Sequence, residues 1–188
     1  MVQANWQSDQ PTNLNYLSPI NFDSQINKLP KVKYFCTGVT LPGITFSEAI
    51  HSTPLAIQSY LPGSSILFDP LIVTFIVDED MKNYQEIFNW IMQLGPGHNT
   101  DDFRDLVGSV KQSSGTYDNR SADMTKMYSD ATLVINTSAN NPNMYFSFED
   151  CFPTSLGSIE FATDAAEVEY SVCDLTLRYT LFKVRTTS

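Results

Sequence analysis

Residues 66–94 read ILFDPLIVTFIVDEDMKNYQEIFNWIMQL, and this stretch decides the class of fold. Residues 66–77 alternate apolar side chains and become apolar on both faces towards their end, which predicts a strand buried on two sides. Apolar residues then recur at Tyr84, Ile87, Phe88 and Ile91, the spacing of an amphipathic helix. A strand followed by a helix that covers it predicts a domain with a β core.

The ends of this helix are marked by local signals. Asp78, Glu79 and Asp80 are N-cap candidates, and their charges complement the helix dipole, so we expect the helix to begin near Asp80. The Gly-Pro-Gly at residues 95–97 predicts its end. It is the one substantial helix that the sequence predicts.

Alternating patterns predict further strands outside this unit. We expect them at residues 20–29, 31–40, 55–60, 131–136, 144–148, 158–161 and 168–184. The first two are predicted to form a hairpin around residues 29–31, and the strands at 131–136 and 144–148 a second hairpin. Residues 41–65 are predicted to be an extended arm, and residues 153–157 a corner. Together these segments predict a mainly β (α+β), antiparallel domain of seven or eight strands with one flanking helix and long loops.

Length and charge narrow the class of protein. The 188 residues predict one domain, which we place at residues 20–188 behind a polar extension at 1–19 and with an inserted loop region at 95–129. The formal net charge is −10, yet only 17% of residues are charged, which disfavours a protein that grips nucleic-acid phosphates. Because no apolar run is long enough to span a membrane and the N-terminus is polar, we expect neither membrane insertion nor Sec export.

Side chains that carry chemistry are scarce. His51 and His98 have no partners at metal-ligand spacing, and the sequence contains no phosphate-binding loop. Cys36, Cys151 and Cys173 lie in apolar runs, where we expect small buried hydrophobic side chains in a reducing compartment. We therefore expect a protein that is not an enzyme and holds no cofactor or metal.

Several segments together resemble a known family. They are INFDSQI at 20–26, FCTGVTLPGI at 35–44, LIVTFIVDED at 71–80, YQEIFNWI at 84–91, YSDATLVI at 128–135, FEDCFPTSLG at 148–157 and LTLRYTLFKV at 175–184. Their order is similar to that of the tail tube proteins of contractile-tailed, myovirus-type bacteriophages, over roughly residues 20–184. The resemblance implies a two-sheet β-sandwich or barrel with a flanking helix.

The resemblance also implies a structural role in the virion. Rings of six subunits would stack into the inner tail tube, contact the tail sheath and baseplate, and let DNA pass without specific binding. The chain would fold in the host cytoplasm. Because residues 1–19 and 95–129 depart from the family pattern, a baseplate tube initiator or a tail-completion protein of the same fold is an alternative. From another class, a monomeric β-barrel that binds a ligand among its aromatic residues stays open.

The tube hypothesis assigns residues to two surfaces. In it, the arm at residues 41–65 bridges neighbouring subunits. Subunit contacts are expected at Leu41, Pro42, Gly43, Ile44, Tyr60, Phe103 and Leu106. Asp174, on the polar face of the last strand, is expected to face the lumen, followed by Asp23 on the first strand.

Overall fold

The computed structural model describes residues 14–52, 58–95, 127–161 and 170–187. Within those ranges the chain forms nine strands and two helices. In chain order they are β1 (Phe22–Ile26), α1 (Pro30–Phe35), β2 (Cys36–Thr40), β3 (Ile44–Ser52), β4 (Gln58–Phe68), β5 (Leu71–Ile76), α2 (Lys82–Leu94), β6 (Ser129–Asn136), β7 (Pro142–Leu156), β8 (Val172–Arg178) and β9 (Leu181–Thr186). The predicted mainly β, antiparallel class is confirmed.

Strand β7 organises the sheets. Six strands follow the antiparallel order β1-β6-β7-β8-β5-β2, and β9 also pairs with β7. The first part of β7 pairs with β6 and β9, whereas its last part, from Phe152 onward, pairs with β8. Asp150 lies at this changeover and has a left-handed backbone, with φ of 57°. Strand β7 therefore joins a first sheet, made of β1, β6, β7 and β9, to a second sheet, made of β2, β5, β7 and β8.

The core lies against the inner faces of these strands. Phe75 is opposite Cys173 and Val73 is opposite Leu175 in the β5–β8 pair, and all four are at most 2% exposed. Because opposite residues of an antiparallel pair share a face, the alternation in both strands buries one continuous apolar surface. On β7, Phe148 is 1% exposed and joins the same core.

Helix α2 is latched to the sheet by a buried amide. Asn83 Nδ2 donates to the carbonyl of Ile76 at 2.9 Å, and Asn83 Oδ1 accepts from the backbone N–H groups of Asp78 and Tyr84. The predicted N-caps at Asp78, Glu79 and Asp80 are wrong. The N-cap residue is Met81, which has a left-handed backbone and makes no side-chain cap. Asn83 Oδ1 instead accepts from the Tyr84 N–H in the first turn. The predicted end at Leu94 is confirmed.

The first predicted hairpin is wrong. Residues 30–35 form the short helix α1, β1 pairs with β6, and β2 pairs with β5. Pro30 is at the start of α1, where a missing N–H costs nothing. Leu29 and Val32 are spaced for one helical face, and both are buried in the core. The protein thus has a second helix that the sequence analysis did not predict.

Four other boundaries also differ from the prediction. Residues 66–77 divide between β4 and β5 at Asp69-Pro70, since proline cannot donate to a ladder. The predicted final strand divides into β8 and β9, where the Thr180 N–H donates to Glu149 O. Pro153 lies within β7 instead of at a corner, and residues 158–161 are not a strand. Most of the inserted loop region falls outside the described residues.

Candidate functional site

The predicted arm at residues 41–65 is largely a long β-hairpin. Strands β3 and β4 form a two-stranded sheet and, within the described ranges, pair only with each other. Pro62 and Gly63 lie inside β4, and these turn-forming residues made the segment resemble a loop. Both outer edges of this two-stranded sheet therefore lack a partner strand among the described residues.

The hairpin exposes an unusual amount of apolar surface. Seven of its large apolar side chains are between 51% and 64% exposed. They are Ile44, Phe46, Ile50, Tyr60, Leu61, Ile66 and Leu67. By the strand register, Ile44, Phe46, Ile50, Tyr60 and Ile66 lie on one face of the hairpin, and Leu61 and Leu67 lie on the other. Single exposed apolar side chains are normal, but five on one face mark a surface that binds a partner. The seven side chains together are called the hairpin surface below.

A glycine permits the irregularity in the middle of the hairpin. The pairing of β3 with β4 shifts between Phe46 and Glu48, and the Ser65 N–H donates to Ser47 Oγ at 3.0 Å. A Cβ atom at Gly63 would lie 2.2 Å from Ser47 Oγ and 2.6 Å from Ser47 O. Glycine is therefore required at this close approach of the two strands.

The base of the hairpin is held by the corner between β8 and β9. Tyr179 Oη donates to Asp69 O at 2.9 Å, and Arg178 Nη1 donates to Phe68 O at 3.1 Å. Burial raises the pKa of Tyr179 to about 12, with the Asp69 carboxylate adding to the effect, so the phenol is a neutral donor. The Asp69 N–H also donates to Gly43 O, which ties the two strands together at their base. These bonds fix the direction in which the hairpin leaves the domain.

The residues predicted for subunit contacts lie in different environments. Leu41, Gly43, Ile44 and Tyr60 are exposed at or near the hairpin base and along its strands. Pro42 is buried and is not available to a partner. The predicted positions 103 and 106 lie outside the described residues. The sequence analysis missed the rest of the hairpin surface, although the alternation of Ile44 and Phe46 was a signal for it.

Asp174 lies on the polar outer face of the second sheet. It accepts a hydrogen bond from Thr74 Oγ1 at 2.7 Å, and Thr37 Oγ1 donates to Thr74 O. On the neighbouring strands, Thr154 Oγ1 donates to Thr176 O. The face is rich in threonine hydroxyls, and β8 adds two charged side chains to it, Asp174 and Arg178.

Asp23 is not part of the same face. It lies on β1, and its carboxylate is 3.4 Å from Lys33 Nζ of α1. Strands β6 and β7 separate β1 from β8 in the sheet order. The two predicted lumen residues therefore lie on different sheets.

The described residues offer little for catalysis. They contain no group of three His, Cys, Asp or Glu side chains that could hold a metal ion. Burial raises the pKa of the Cys151 thiol to about 12 and also raises the pKa of Cys36 and Cys173, which makes these thiols poor nucleophiles. Among the described helices, none is both long and apolar enough to cross a membrane.

One concavity could hold a small ligand. Its volume is about 590 Å³, and it lies where β5 leads into α2, with Ile76, Asp78, Glu79 and Phe161 among its lining residues. It is at the end of the sheet, whereas the space between the inner sheet faces is filled by packed side chains. The position does not match the expected barrel that binds a ligand in its interior.

Comparisons with known proteins agree with this geometry. Residues 6–185 match the family described as phage tail tube protein. The tail tube terminator protein of Enterobacteria phage T4 is 26% identical over 148 residues, covering 78% of this chain and 74% of that protein.

Solved structures show the same fold. The tube terminating cap of the anti-feeding prophage matches with a TM-score of 0.56 at 14% identity, over 100% of both chains. The sheath/tube terminator structure of an extracellular contractile injection system matches with a TM-score of 0.54 at 15% identity, over 92% of this chain and 99% of that one. With the family match spanning nearly the whole sequence, the chain belongs to the phage tail tube protein family.

Proposed function

We propose that this protein is a structural subunit of a contractile tail, and that six copies assemble through the hairpin surface into a ring of the tail tube. The observation that supports the proposal best is the hairpin surface itself. Fully burying an aliphatic or aromatic side chain yields about 1.5–3 kcal/mol, so covering half-exposed ones yields about 1 kcal/mol each. Seven such side chains can offset much of the cost of ordering and association.

We place this ring at the end of the tube. The T4 relative, which covers most of this chain, is a tube terminator. Of the alternatives that the sequence left open, this relative favours the tail-completion protein over the baseplate initiator. Contact with the tail sheath follows from the same proposal.

The outer face around Asp174 is our candidate for the channel wall. Its threonine hydroxyls are hydrated without attracting phosphate, and Asp174 repels it. Arg178 lies on the same face, but its guanidinium donates to Phe68 O, so the wall gives a moving duplex little counter-charge to bind. DNA would then pass without specific binding.

Mass photometry and negative-stain electron microscopy of the full-length protein test the proposal. We expect hexamers that form rings of one diameter. Discrete rings support the position at the tube end, long filaments indicate a main tube subunit, and a monomer at every concentration overturns the assembly proposal.

A matched pair of variants tests the surface. Ile50→Asp places a charge on the hairpin surface and should abolish rings. Tyr34→Asp makes the corresponding change on α1, at a side chain that is 84% exposed, and should leave rings intact. Equal effects of the two substitutions would show that the hairpin is not the contact.

A further inference from the structure

The segment ahead of β1 is apolar and uncovered. Residues 14–18 have no regular secondary structure, and the segment 14–20 lies outside both sheets. Its large side chains are 64% to 95% exposed: Leu14, Tyr16, Leu17 and Ile20. A segment with such exposure gains little stability from its own chain, so its sequence is better explained by a partner.

The hairpin offers a matching acceptor. An isolated two-stranded sheet is only marginally stable, and its unpaired edge strands are templates for a further strand. The free edge of β3 is the better template, because β4 contains Pro62, which lacks an N–H group, and β3 contains no proline. At about 3.3 Å per residue, β3 spans roughly 30 Å and the five residues 14–18 roughly 17 Å, so they fit along it. Pro19 and Ile20 form a turn and end the added strand.

We propose that residues 14–18 of one copy add as a third strand to the free edge of β3 in a neighbouring copy. The inference rests on the self-assembly proposed above and names the segment that makes the contact. Main-chain hydrogen bonds would provide affinity, and alternate side chains would meet the hairpin surface. In a strand, Leu14 and Tyr16 share one face, where they can pack beside Phe46 and Ile50 of β3.

Charge and area are both compatible with this contact. Residues 14–20 carry no charged side chain, and β3 carries two ionisable residues, Glu48 and His51. From about 25 cal/mol per Å² and 1.5–3 kcal/mol for full burial, each partly exposed side chain contributes roughly 50–100 Å². Leu14, Tyr16 and Leu17 of the segment and Ile44, Phe46 and Ile50 of β3 then contribute on the order of 400 Å² before any backbone is counted. This is about a third of the about 1,200 Å² of a stable interface, so the strand addition is one part of the contact between copies.

The contact has the symmetry that a ring needs. Each copy carries one donor segment and one acceptor edge, and these are different parts of the chain. Such a contact is heterologous, and it closes into a ring when the rotation between copies is right. The two-stranded hairpin would then gain its third strand only when the ring assembles.

Cross-linking between two differently labelled full-length chains tests the strand addition. One chain carries Ser18→Cys and is isotopically labelled, and the other carries Ala49→Cys on β3. After mixing and treatment with a bismaleimide, mass spectrometry should show several-fold more labelled-to-unlabelled links than a control pair of Ser18→Cys with Tyr34→Cys. Chains without the introduced cysteines report any background from Cys36.

The outcomes separate this inference from the proposed function. Rings without the Ser18–Ala49 link, or with only as much as the control pair, overturn the strand addition and leave the ring intact. A link without rings supports the strand addition and overturns the ring. A further chain that carries both substitutions tests the alternative: if it links within itself and the mixed pair links no more than the control, the segment covers its own hairpin and the strand addition is overturned. Absence of both rings and links overturns both proposals.

Discussion

Replacing Tyr179 by phenylalanine tests how the hairpin is anchored. The substitution keeps the ring, which packs edge-on against Phe148 at 5.0 Å and against Phe182 at 6.0 Å, and removes only the hydroxyl that donates to Asp69 O. The Arg178 bond to Phe68 O and the rest of the hairpin base stay in place. Any change in behaviour therefore reports on one hydrogen bond.

The size of the effect follows from the surroundings of that bond. A neutral hydrogen bond contributes about 0.5–1.5 kcal/mol net. Asp69 is exposed, so water can replace the phenol at its carbonyl, and we expect the lower half of that range. In a domain of this size, about 1 kcal/mol corresponds to a shift of roughly 2–4 °C in Tm. Ring formation should fall more than the stability does, because the hairpin loses part of the anchor that sets its direction.

The same substitution should change the pH dependence. The pKa of Tyr179 is about 12 in the folded protein and 10 as its ordinary value, so between these values the folded chain holds a proton that the unfolded chain releases. Its contribution is fully present below pH 10 and is lost as the pH rises through about 12. The stability difference between wild type and Tyr179→Phe should therefore shrink across that window.

Urea unfolding at a series of pH values, with mass photometry in parallel, checks both expectations. Tyr34→Phe is the matched control, because Tyr34 is 84% exposed and its ring is outside the core. If Tyr179→Phe unfolds at the same urea concentration as wild type and forms rings equally well, the anchoring role is wrong. A difference that stays constant across pH 10 to 12 would refute the explanation of the raised pKa.

Three further substitutions probe the latch, the hairpin and the channel face. Asn83→Ala should lower the free energy of unfolding by about 2–4 kcal/mol, measured in urea, because the Ile76 carbonyl and two backbone N–H groups lose their partner. Gly63→Ala should cost about 1–3 kcal/mol in strain, visible as faster amide exchange in β3 and β4, whereas Gly95→Ala, with no atom nearer than 3.9 Å to the new Cβ, should not. Asp174→Lys should change stability by less than about 0.5 kcal/mol but give salt-sensitive DNA retention in a filter-binding assay; unchanged retention would argue against a channel wall at this face.

Elements with strong local periodicity could be predicted from the sequence. Helix α2 was found because its apolar residues follow one face, and its end was found because Gly95 stops it. The hairpin of β6 and β7 was found because both strands alternate on either side of an Asn-rich turn. The outward direction of Asp174 followed from the same alternation in β8. In these cases the local pattern and the tertiary structure agree.

Elements that depend on distant partners could not be predicted. The division of the last strand depends on the Thr180 N–H finding Glu149 O, which is 31 positions away, and no local pattern signals it. Helix α1 has only six residues and is stabilised by burial of Leu29 and Val32 in a core built by other segments. Pro62 and Gly63 suggested a loop, because turn residues and the middle of an irregular hairpin look alike in one sequence.

The charge of the chain constrains how copies can meet. Six copies that each carry −10 repel one another. The apolar surface that the hairpin and residues 14–20 expose can supply the attraction between copies. Since salt screens repulsion over about 10 Å at 0.1 M and leaves apolar burial intact, ring formation should strengthen with added salt. An interface built on ion pairs would weaken instead, so a salt titration followed by mass photometry decides between the two.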